Sequence, residues 1–365
     1  MANDPKRTHV AIVGGGNLGS ELAKALERDM RVSLIERADA FTHAPAMIRA
    51  LVDPALLDRA LIPYDQLLSI GKFIKGEAAV IDGDGVTLSD GTRIDADYVV
   101  LATGSGNLPP FKSTTGDING LRSANADWHR ALDSANSVAI IGAGAVGTEL
   151  AGEIASAMPD KRVTLIAGDH ALFPAFPQKL GKSLVRKLRE MGVEVVLGER
   201  GTELPDGSTP GGGTVTLTSG RRIEADLIVP AVGARVNAGL ADQLPDVRRS
   251  PDGRIAVDRW MRPSSLPNVF AAGDVADNGD FMTIVAVSRQ APWLAKLLKA
   301  AAAGQKIETQ KPYLPWGKAP ILLPLGPKRG SSFLMVATLG DWITSVMKGR
   351  DLFLSKYQKT FGRDA

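Results

Sequence analysis

The chain has 365 residues, 44% hydrophobic and 23% charged, a composition typical of a soluble globular protein with two or three domains. A net charge of only +3 argues against nucleic acid as the main partner, because neutralising a phosphate backbone needs a dense basic surface. The chain contains no cysteine, which excludes disulfides, cysteine-based zinc sites and thiolate nucleophiles. Its four histidines are far apart, so no metal site is predicted.

Terminal and hydropathy signals predict a cytoplasmic protein. The chain has no run of 18 apolar residues that could cross a membrane, and the N-terminal MANDPKRTH lacks the apolar core of a signal peptide. The chain begins Met-Ala, so a Met-Gly myristoylation signal is absent. A position at the inner face of a membrane stays open, because residues 301–365 contain ten Lys/Arg and four Asp/Glu, a local charge of +6.

Two stretches of the chain predict the same βαβ unit. The first is a buried strand HVAIV (9–13), a glycine loop, a helix over 17–28 and a strand RVSLIE (31–36). The second is SVAII (137–141), the loop GAGAVG, a helix to about residue 157 and RVTLI (162–166). This duplication predicts an α/β fold with two doubly wound, Rossmann-like domains.

Further elements are predicted along the rest of the chain. Apolar runs that end in glycine predict buried strands in 98–104, 226–233 and 266–274, and PDGSTPGGG predicts a hairpin-like loop within 203–222. A helix is expected over 283–303. The Pro-rich tail, 312–365, is expected to form two strands, or a strand and a helix, before a basic end.

The first glycine loop, Gly14-x-Gly16-x-x-Gly19, has the spacing of a dinucleotide-binding turn. The first glycine allows the tight turn, the second lets a pyrophosphate approach, and the third lets helix and strand pack closely. Glu36 ends the following strand and can accept hydrogen bonds from a ribose diol. We therefore predict that Glu36, with the adjacent Arg37, binds a nucleotide.

The second loop, Gly142-x-Gly144-x-x-Gly147, has the same context but lacks the acid. Ala167 stands where Glu36 stands in the first unit, so a 2′-phosphate would meet no repulsion there. Asp169 could still reach a ribose. The choice between NADH and NADPH stays open on these grounds.

Two dinucleotide sites suggest FAD together with NAD(P)H, and later segments indicate which site is which. The run Ala102-Thr103-Gly104 and the pair Gly273-Asp274 are companion signals of a two-dinucleotide flavoprotein, in which the late aspartate holds the ribityl chain. We predict an FAD domain at 1–112 and 245–300, an NAD(P)H domain at 113–244 and a C-terminal domain at 301–365. Gly233, at the end of a strand, and Met282, near a helix start, are further predicted cofactor contacts.

Two local motifs carry a closer resemblance. MKGRDLFLSKYQKTFG (347–362) and FTHAPAMIRALVD (41–53) resemble segments of the ferroptosis suppressor protein and apoptosis-inducing factor-like family, which is related to type II NADH dehydrogenases. The resemblance implies the glutathione-reductase-like fold with a small C-terminal α+β domain. It also implies FAD-dependent reduction of ubiquinone- or menaquinone-type quinones by NAD(P)H.

Matching positions extend the resemblance to single residues. It implies catalytic roles for Glu149 and Lys348, a second acid at Glu153, and a quinone contact at Phe353. Pro45, also predicted to contact the quinone, lies in a segment expected to pass beside the flavin, where local packing is an equally good explanation.

The acids and the lysine also have a physical reading of their own. Glu149 and Glu153 share one face of a helix that starts at a glycine loop, and nicotinamide or ribose donors could satisfy both carboxylates. A cation at Lys348 would stabilise an anionic reduced flavin.

Several alternatives remain at this level. A missing cysteine pair excludes a disulfide relay, so the electron acceptor could be a quinone, O₂ or a one-electron carrier of the ferredoxin or rubredoxin type. A nucleic-acid-binding death effector is disfavoured by the charge. The tail, with Trp342, Met347 and Leu352 among basic residues, could contact a membrane or form an ordinary lid. The protein is expected to be a monomer or a homodimer.

Overall fold

Two short apolar segments form the inner strands of two separate parallel sheets. The structure, a computed structural model, describes residues 7–106, 110–113, 115–232 and 234–363. His9–Val13 is buried along its whole length, and Ser137–Ile141 is buried except at its first residue. Both strands are apolar after their first residue, because a parallel strand is covered on both faces.

Elements before the second glycine loop include the first βαβ unit and a small antiparallel region. In chain order they are β1 (His9–Val13), α1 (Asn17–Leu26), β2 (Arg31–Glu36), β3 (Ala40–Thr42), α2 (Ala44–Ala50), α3 (Leu57–Ala60), β4 (Leu61–Pro63), β5 (Lys72–Lys75), β6 (Ala78–Asp82), β7 (Gly85–Leu88), β8 (Arg93–Asp95), β9 (Tyr98–Leu101), β10 (Ser105–Gly106) and α4 (Ile118–Ser134).

The middle of the chain contains the second βαβ unit and a hairpin. Its elements are β11 (Ser137–Ile141), α5 (Ala145–Ala157), β12 (Arg162–Ala167), α6 (Gln178–Glu190), β13 (Glu194–Leu197), β14 (Gly213–Thr216), β15 (Arg222–Ala225), β16 (Leu227–Pro230), β17 (Arg235–Val236) and β18 (Ile255–Ala256). The predicted hairpin is β14–β15, although its first strand begins only at Gly213.

The last part of the chain returns to the first sheet and then forms a separate region. Its elements are β19 (Val269–Ala271), β20 (Ala276–Asp277), α7 (Ile284–Ala302), β21 (Ile321–Leu325), β22 (Arg329–Phe333), β23 (Thr338–Leu339), α8 (Asp341–Thr344), a π-helix (Ser345–Gly349) and α9 (Leu354–Thr360). Short 3₁₀ turns lie at Pro54–Leu56, Tyr64–Gln66, Gly239–Gln243, Gly273–Val275 and Ile307–Thr309.

Strand order confirms the predicted α/β class. The first sheet has the order β19-β9-β1-β2-β5 and the second has the order β13-β12-β11-β16, and all pairs within both sheets are parallel. Since β19 joins the first sheet after the second is complete, the second unit interrupts the first. The exact domain boundaries at 112, 244 and 300 stay predictions.

The tail contains more structure than the sequence indicated. An antiparallel sheet β21-β22-β23 packs against α5, and the helices after it include the π-helix. Leu352 and Phe353 then both have positive φ, at 54° and 64°. Consecutive left-handed non-glycine residues are costly and persist only where surrounding contacts enforce them.

Candidate active site

The first glycine loop has a backbone suited to glycine and open space in front of it. Gly14 has a φ of +106°, and a Cβ there would meet the Ala102 carbonyl oxygen at 2.4 Å. A Cβ on Gly19 would lie 1.8 Å from the Gly14 oxygen, so α1 approaches the loop without a side chain between them. Gly16 precedes α1, and a Cβ there would meet nothing within 4 Å. This opening at a helix N-terminus suits a pyrophosphate.

The loop lies in a cleft of about 500 Å³, within the usual size range of ligand sites. Most of the residues predicted to bind FAD line this cleft: Gly14, Gly16, Glu36, Arg37, Ala102, Thr103, Gly104 and Asp274. Gly19 acts through packing, as described above. Met282 is 42% exposed and is not part of the lining, and its predicted contact stays a prediction.

The Glu36 side chain supports the first glycine loop through a hydrogen bond. Its Oε2 accepts a hydrogen bond from the Gly15 amide at 2.7 Å, and its Oε1 accepts one from the Ala38 amide at 3.0 Å. The buried hydroxyl of Tyr64 donates to the Gly15 carbonyl oxygen at 2.8 Å. Sequence reasoning missed Tyr64, because its partner lies 49 residues away and no motif marks it.

At the other end of the cleft, Asp274 lies within a polar group that the sequence did not reveal. Ser105 donates from Oγ to Asp274 Oδ2 at 2.7 Å, and Lys112 donates to the Ser105 carbonyl oxygen at 2.7 Å. Burial lowers the pKa of Lys112, and the charge of Asp274 opposes this. Behind them, the buried Gln290 accepts from the Gly273 amide at 2.8 Å. Ser105 and Lys112 both line the cleft.

These residues fit FAD. The open approach at Gly16 suits the pyrophosphate, the Glu36 carboxylate is an acceptor at the end of β2, and Asp274 is an acceptor at the end of β19. Lys112 adds a cation to the cleft lining, beside Ser105. The polar groups therefore match the phosphate and hydroxyl groups of a dinucleotide.

The second glycine loop repeats the geometry of the first. Gly142 has a φ of +106°, and a Cβ on Gly147 would lie 1.9 Å from the Gly142 oxygen. A Cβ on Gly144 would meet nothing within 4 Å. Thr148 donates to the Ala143 carbonyl oxygen at 3.1 Å, as Ser20 does to Gly15 in the first loop at 2.6 Å. Gly233, another predicted contact, lies outside the described residues.

Glu149 is buried on α5 and is paired with Lys348 from the tail. Lys348 Nζ lies 2.6 Å from Glu149 Oε1, and the two side chains are 11% and 4% exposed. Lys348 also donates to the Leu322 carbonyl oxygen at 3.2 Å. Burial raises the pKa of Glu149, and Lys348 opposes this shift. The structure thus brings together the two residues predicted to be catalytic, and their catalytic roles stay predictions.

Glu153, one helical turn further, has a different cation. Arg49 on α2 donates from Nε at 2.9 Å and from Nη2 at 2.8 Å to the two carboxylate oxygens of Glu153. The same Nη2 donates to the Gly349 carbonyl oxygen at 2.6 Å. Burial raises the pKa of Glu153, while Arg49 opposes it. The chain itself therefore supplies hydrogen-bond donors to Glu153, and nucleotide binding by Glu153 stays a prediction.

Pro45 and Phe353, the two predicted quinone contacts, are not part of the cleft lining. Pro45 is buried near the start of α2, whereas its neighbours Thr42 and Ala44 line the cleft. Phe353 is partly buried against the core of the first sheet. Their contact with a quinone stays a prediction.

Apolar side chains are exposed on the tail helices. Trp342, Val346 and Met347 are 73%, 50% and 43% exposed, whereas Leu352 is buried. Within the part of the chain that the structure describes, no helix combines the length and hydropathy needed to span a membrane.

Comparisons with known proteins agree with this geometry. The family model described as pyridine nucleotide-disulphide oxidoreductase matches residues 64–291, and a second model with that description matches residues 9–59. Apoptosis-inducing factor homolog B of Dictyostelium discoideum is 31% identical over 98% of this chain and 97% of its own length. Ferroptosis suppressor protein 1 of Homo sapiens is 28% identical over 96% of this chain and 95% of its own length.

A solved structure extends the agreement to the fold. The sulfide:quinone oxidoreductase from the hyperthermophilic bacterium Aquifex aeolicus superposes with a TM-score of 0.77 at 17% identity, covering 98% of this chain and 92% of the other. This chain therefore belongs to the pyridine nucleotide-disulphide oxidoreductase family, in the group that includes the apoptosis-inducing factor homologs and ferroptosis suppressor protein 1, and it is an oxidoreductase that binds FAD and NAD(P)H.

Proposed function

We propose that the protein is an FAD-dependent NAD(P)H:quinone oxidoreductase. The main support is that a glycine loop of the same geometry follows the inner strand of each sheet, in a chain that contains no cysteine. When bound, FAD would supply the redox chemistry, a two-electron transfer from NAD(P)H to a quinone, which becomes the hydroquinone by taking up two protons. With no thiol pair, electrons have no disulfide route.

The residues of the chain have positioning roles in this proposal. Glu36 and Arg37 would hold the adenosine ribose of FAD, and Asp274 would hold the ribityl hydroxyls. The 102–104 segment forms the cleft wall between them. A rigid loop with buried supports such as Tyr64 keeps these groups in place before the ligand arrives, which reduces the entropy cost of binding.

Lys348 and Glu149 form the proposed catalytic pair. A buried ammonium in a fixed position can stabilise negative charge that develops as the acceptor is reduced. Glu149 holds that ammonium in a fixed position through the 2.6 Å ion pair. Phe353 and Pro45 are proposed to contact the quinone.

The exposed apolar side chains of the tail suggest where a lipid-soluble quinone enters. Trp342, Val346 and Met347 lie within six residues of Lys348, in a region with a net positive charge. We propose peripheral contact with an anionic membrane there. Vesicle sedimentation tests this: the wild-type protein should sediment with anionic vesicles, and Trp342→Ser/Met347→Ser should remain in solution. A wild-type protein that never sediments would exclude the contact.

Stopped-flow reoxidation tests the enzymatic proposal. The NADH- or NADPH-reduced protein is mixed with a short-chain ubiquinone, a menaquinone analogue, a ferredoxin or air-saturated buffer, and flavin absorbance is followed. We expect a quinone to reoxidise the flavin faster than any other acceptor. Faster reoxidation by ferredoxin would identify a carrier reductase, and reoxidation by air at least as fast as by any quinone would identify an oxidase.

A further inference from the structure

The two sheets share one strand register, which allows the two nucleotide sites to be compared residue by residue. Strand β2 pairs with β1 as β12 pairs with β11, starting from the first residue of each strand. Glu36, the last residue of β2, therefore corresponds to Ala167, the last residue of β12. The acceptor that suits a free ribose diol is missing at this point of the second site.

The next strand of each sheet extends the comparison. Glu36 pairs with Lys75 at the end of β5, and Ala167 pairs with Leu197 at the end of β13. Just after these strands, the Gly76 amide donates to the Glu36 carbonyl oxygen at 2.9 Å, and the Glu199 amide donates to the Ala167 carbonyl oxygen at 3.0 Å. Glu199 and Arg200 therefore correspond to Gly76 and Glu77, which both line the first cleft. Arg200 consequently occupies the place that Glu77 has in that cleft.

Arg200 is available to a ligand. Its side chain is exposed and lies over Gly168, where a Cβ would meet its Nε at 2.8 Å. Among the described residues, its guanidinium pairs with no carboxylate, and its backbone amide donates to the Thr218 hydroxyl oxygen at 3.4 Å.

Three other titratable groups face this position. Glu199 accepts from the Thr218 hydroxyl at 2.7 Å and from the Ser219 amide at 3.0 Å, and these hydrogen bonds lower the pKa of Glu199. The His170 ring lies against Gly198. Asp169 is exposed, and its charge and that of Glu199 both oppose an anion here.

We propose that Arg200 receives the 2′-phosphate of NADPH and that the second site binds NADPH in preference to NADH. A guanidinium can donate two parallel hydrogen bonds to a phosphate, and Ala167 removes the carboxylate that would repel it. This inference deepens the proposed function, from which it takes the assignment of the second site to the nicotinamide nucleotide.

Calorimetric titration of the FAD-loaded protein with adenosine 2′,5′-bisphosphate and with 5′-AMP tests the inference without any electron transfer. We expect the bisphosphate to bind at least about tenfold more tightly, as a charge-assisted hydrogen bond predicts. Arg200→Gln should weaken the bisphosphate about 10- to 100-fold and leave 5′-AMP unchanged. Equal affinity of the wild-type protein for the two probes would overturn the inference.

Two further variants sharpen the result. Arg222→Gln removes the same charge from the same domain, beside Arg162 and Glu194 at the opposite ends of the strands, and should change neither affinity. Ala167→Glu should weaken the bisphosphate selectively. If Asp169→Asn instead weakens the binding of 5′-AMP while Arg200→Gln changes neither affinity, Asp169 binds the ribose and the inference is wrong.

These binding results are separable from the proposed activity. A protein that prefers the bisphosphate but reduces no quinone would keep this inference and refute the quinone reductase. An active quinone reductase that binds both probes with equal affinity would keep the proposed function and refute this inference.

Discussion

His43 connects the wall of the FAD cleft with the tail. It is fully buried against the rings of Phe41 and Tyr357, and its Nε2 lies 2.6 Å from the Leu352 carbonyl oxygen. That oxygen can only accept, so Nε2 carries the proton in the neutral ring. The contact fixes the first of the two residues with positive φ.

Acid should weaken the fold partly through His43. Burial lowers the pKa of His43 from 6.5 to about 4. Because the folded pKa is depressed, the contribution is complete above pH 6.5 and is lost as the pH falls from 6.5 towards 4, at most about 3 kcal/mol. His43→Gln should therefore show a smaller drop in Tm between pH 7 and pH 4.5. The exposed His170→Gln should keep the full wild-type drop, and an unchanged drop in His43→Gln would contradict the prediction.

The ammonium group of Lys348 should contribute to catalysis as well as to the stability of the fold. Lys348→Met leaves Glu149 buried without its cation and should lower the free energy of unfolding by about 3–5 kcal/mol. Lys348→Met/Glu149→Leu should recover most of that stability, because an apolar pair can replace a buried ion pair. Quinone-dependent reoxidation of the flavin should stay slow in both variants. A double variant with wild-type reoxidation would assign the pair a structural role only.

At the scale of elements, the two βαβ units could be predicted closely and the tail could not. Strands at 9–13, 31–36 and 137–141 match the prediction because apolar runs and glycine spacing are local signals. The π-helix at Ser345–Gly349 and the turn after it depend on contacts with distant residues such as Arg49. No local pattern encodes such contacts.

Gly144, just before α5, and Gly152, within it, should separate effects on binding from effects on folding. Gly144 has extended backbone angles and open space, so Gly144→Ala should leave Tm unchanged while its methyl group weakens adenosine 2′,5′-bisphosphate and NAD(P)H binding. A Cβ on Gly152 would lie 2.4 Å from the Leu325 Cα atom. Gly152→Ala should therefore cost about 1–3 kcal/mol of stability with nucleotide affinity retained in the folded protein. Differential scanning fluorimetry measures the Tm, and calorimetry measures the nucleotide affinity. Equal changes in Tm and in affinity for the two variants would contradict the assignment.

At the scale of the whole molecule, Arg49 joins three parts of the chain. It extends from α2, beside the FAD cleft, to Glu153 on α5 of the second sheet and to the Gly349 carbonyl oxygen in the tail. Lys348 adds a second link between α5 and the tail. The two buried ion pairs fix the tail against both nucleotide-binding units.

Removing Arg49 should release the tail. Arg49→Met leaves Glu153 buried and unpaired and should cost about 3–5 kcal/mol, with faster proteolysis of the chain after residue 340. Arg49→Met/Glu153→Leu should recover most of the Tm, yet its tail should stay more sensitive to protease than in the wild type, because the Gly349 contact is still missing. A single variant that melts within about 1 °C of the wild type would contradict this prediction.

The sequence by itself determined the two glycine loops, their strands and helices, and most of the predicted FAD contacts that line the first cleft, since tight turns, close helix packing and strand burial depend on neighbouring residues. Tertiary structure alone decided the partners of the two acids. Arg49 is 104 residues from Glu153 and Lys348 is 199 residues from Glu149, and a buried charge is stable only where the whole fold brings an opposite charge to it.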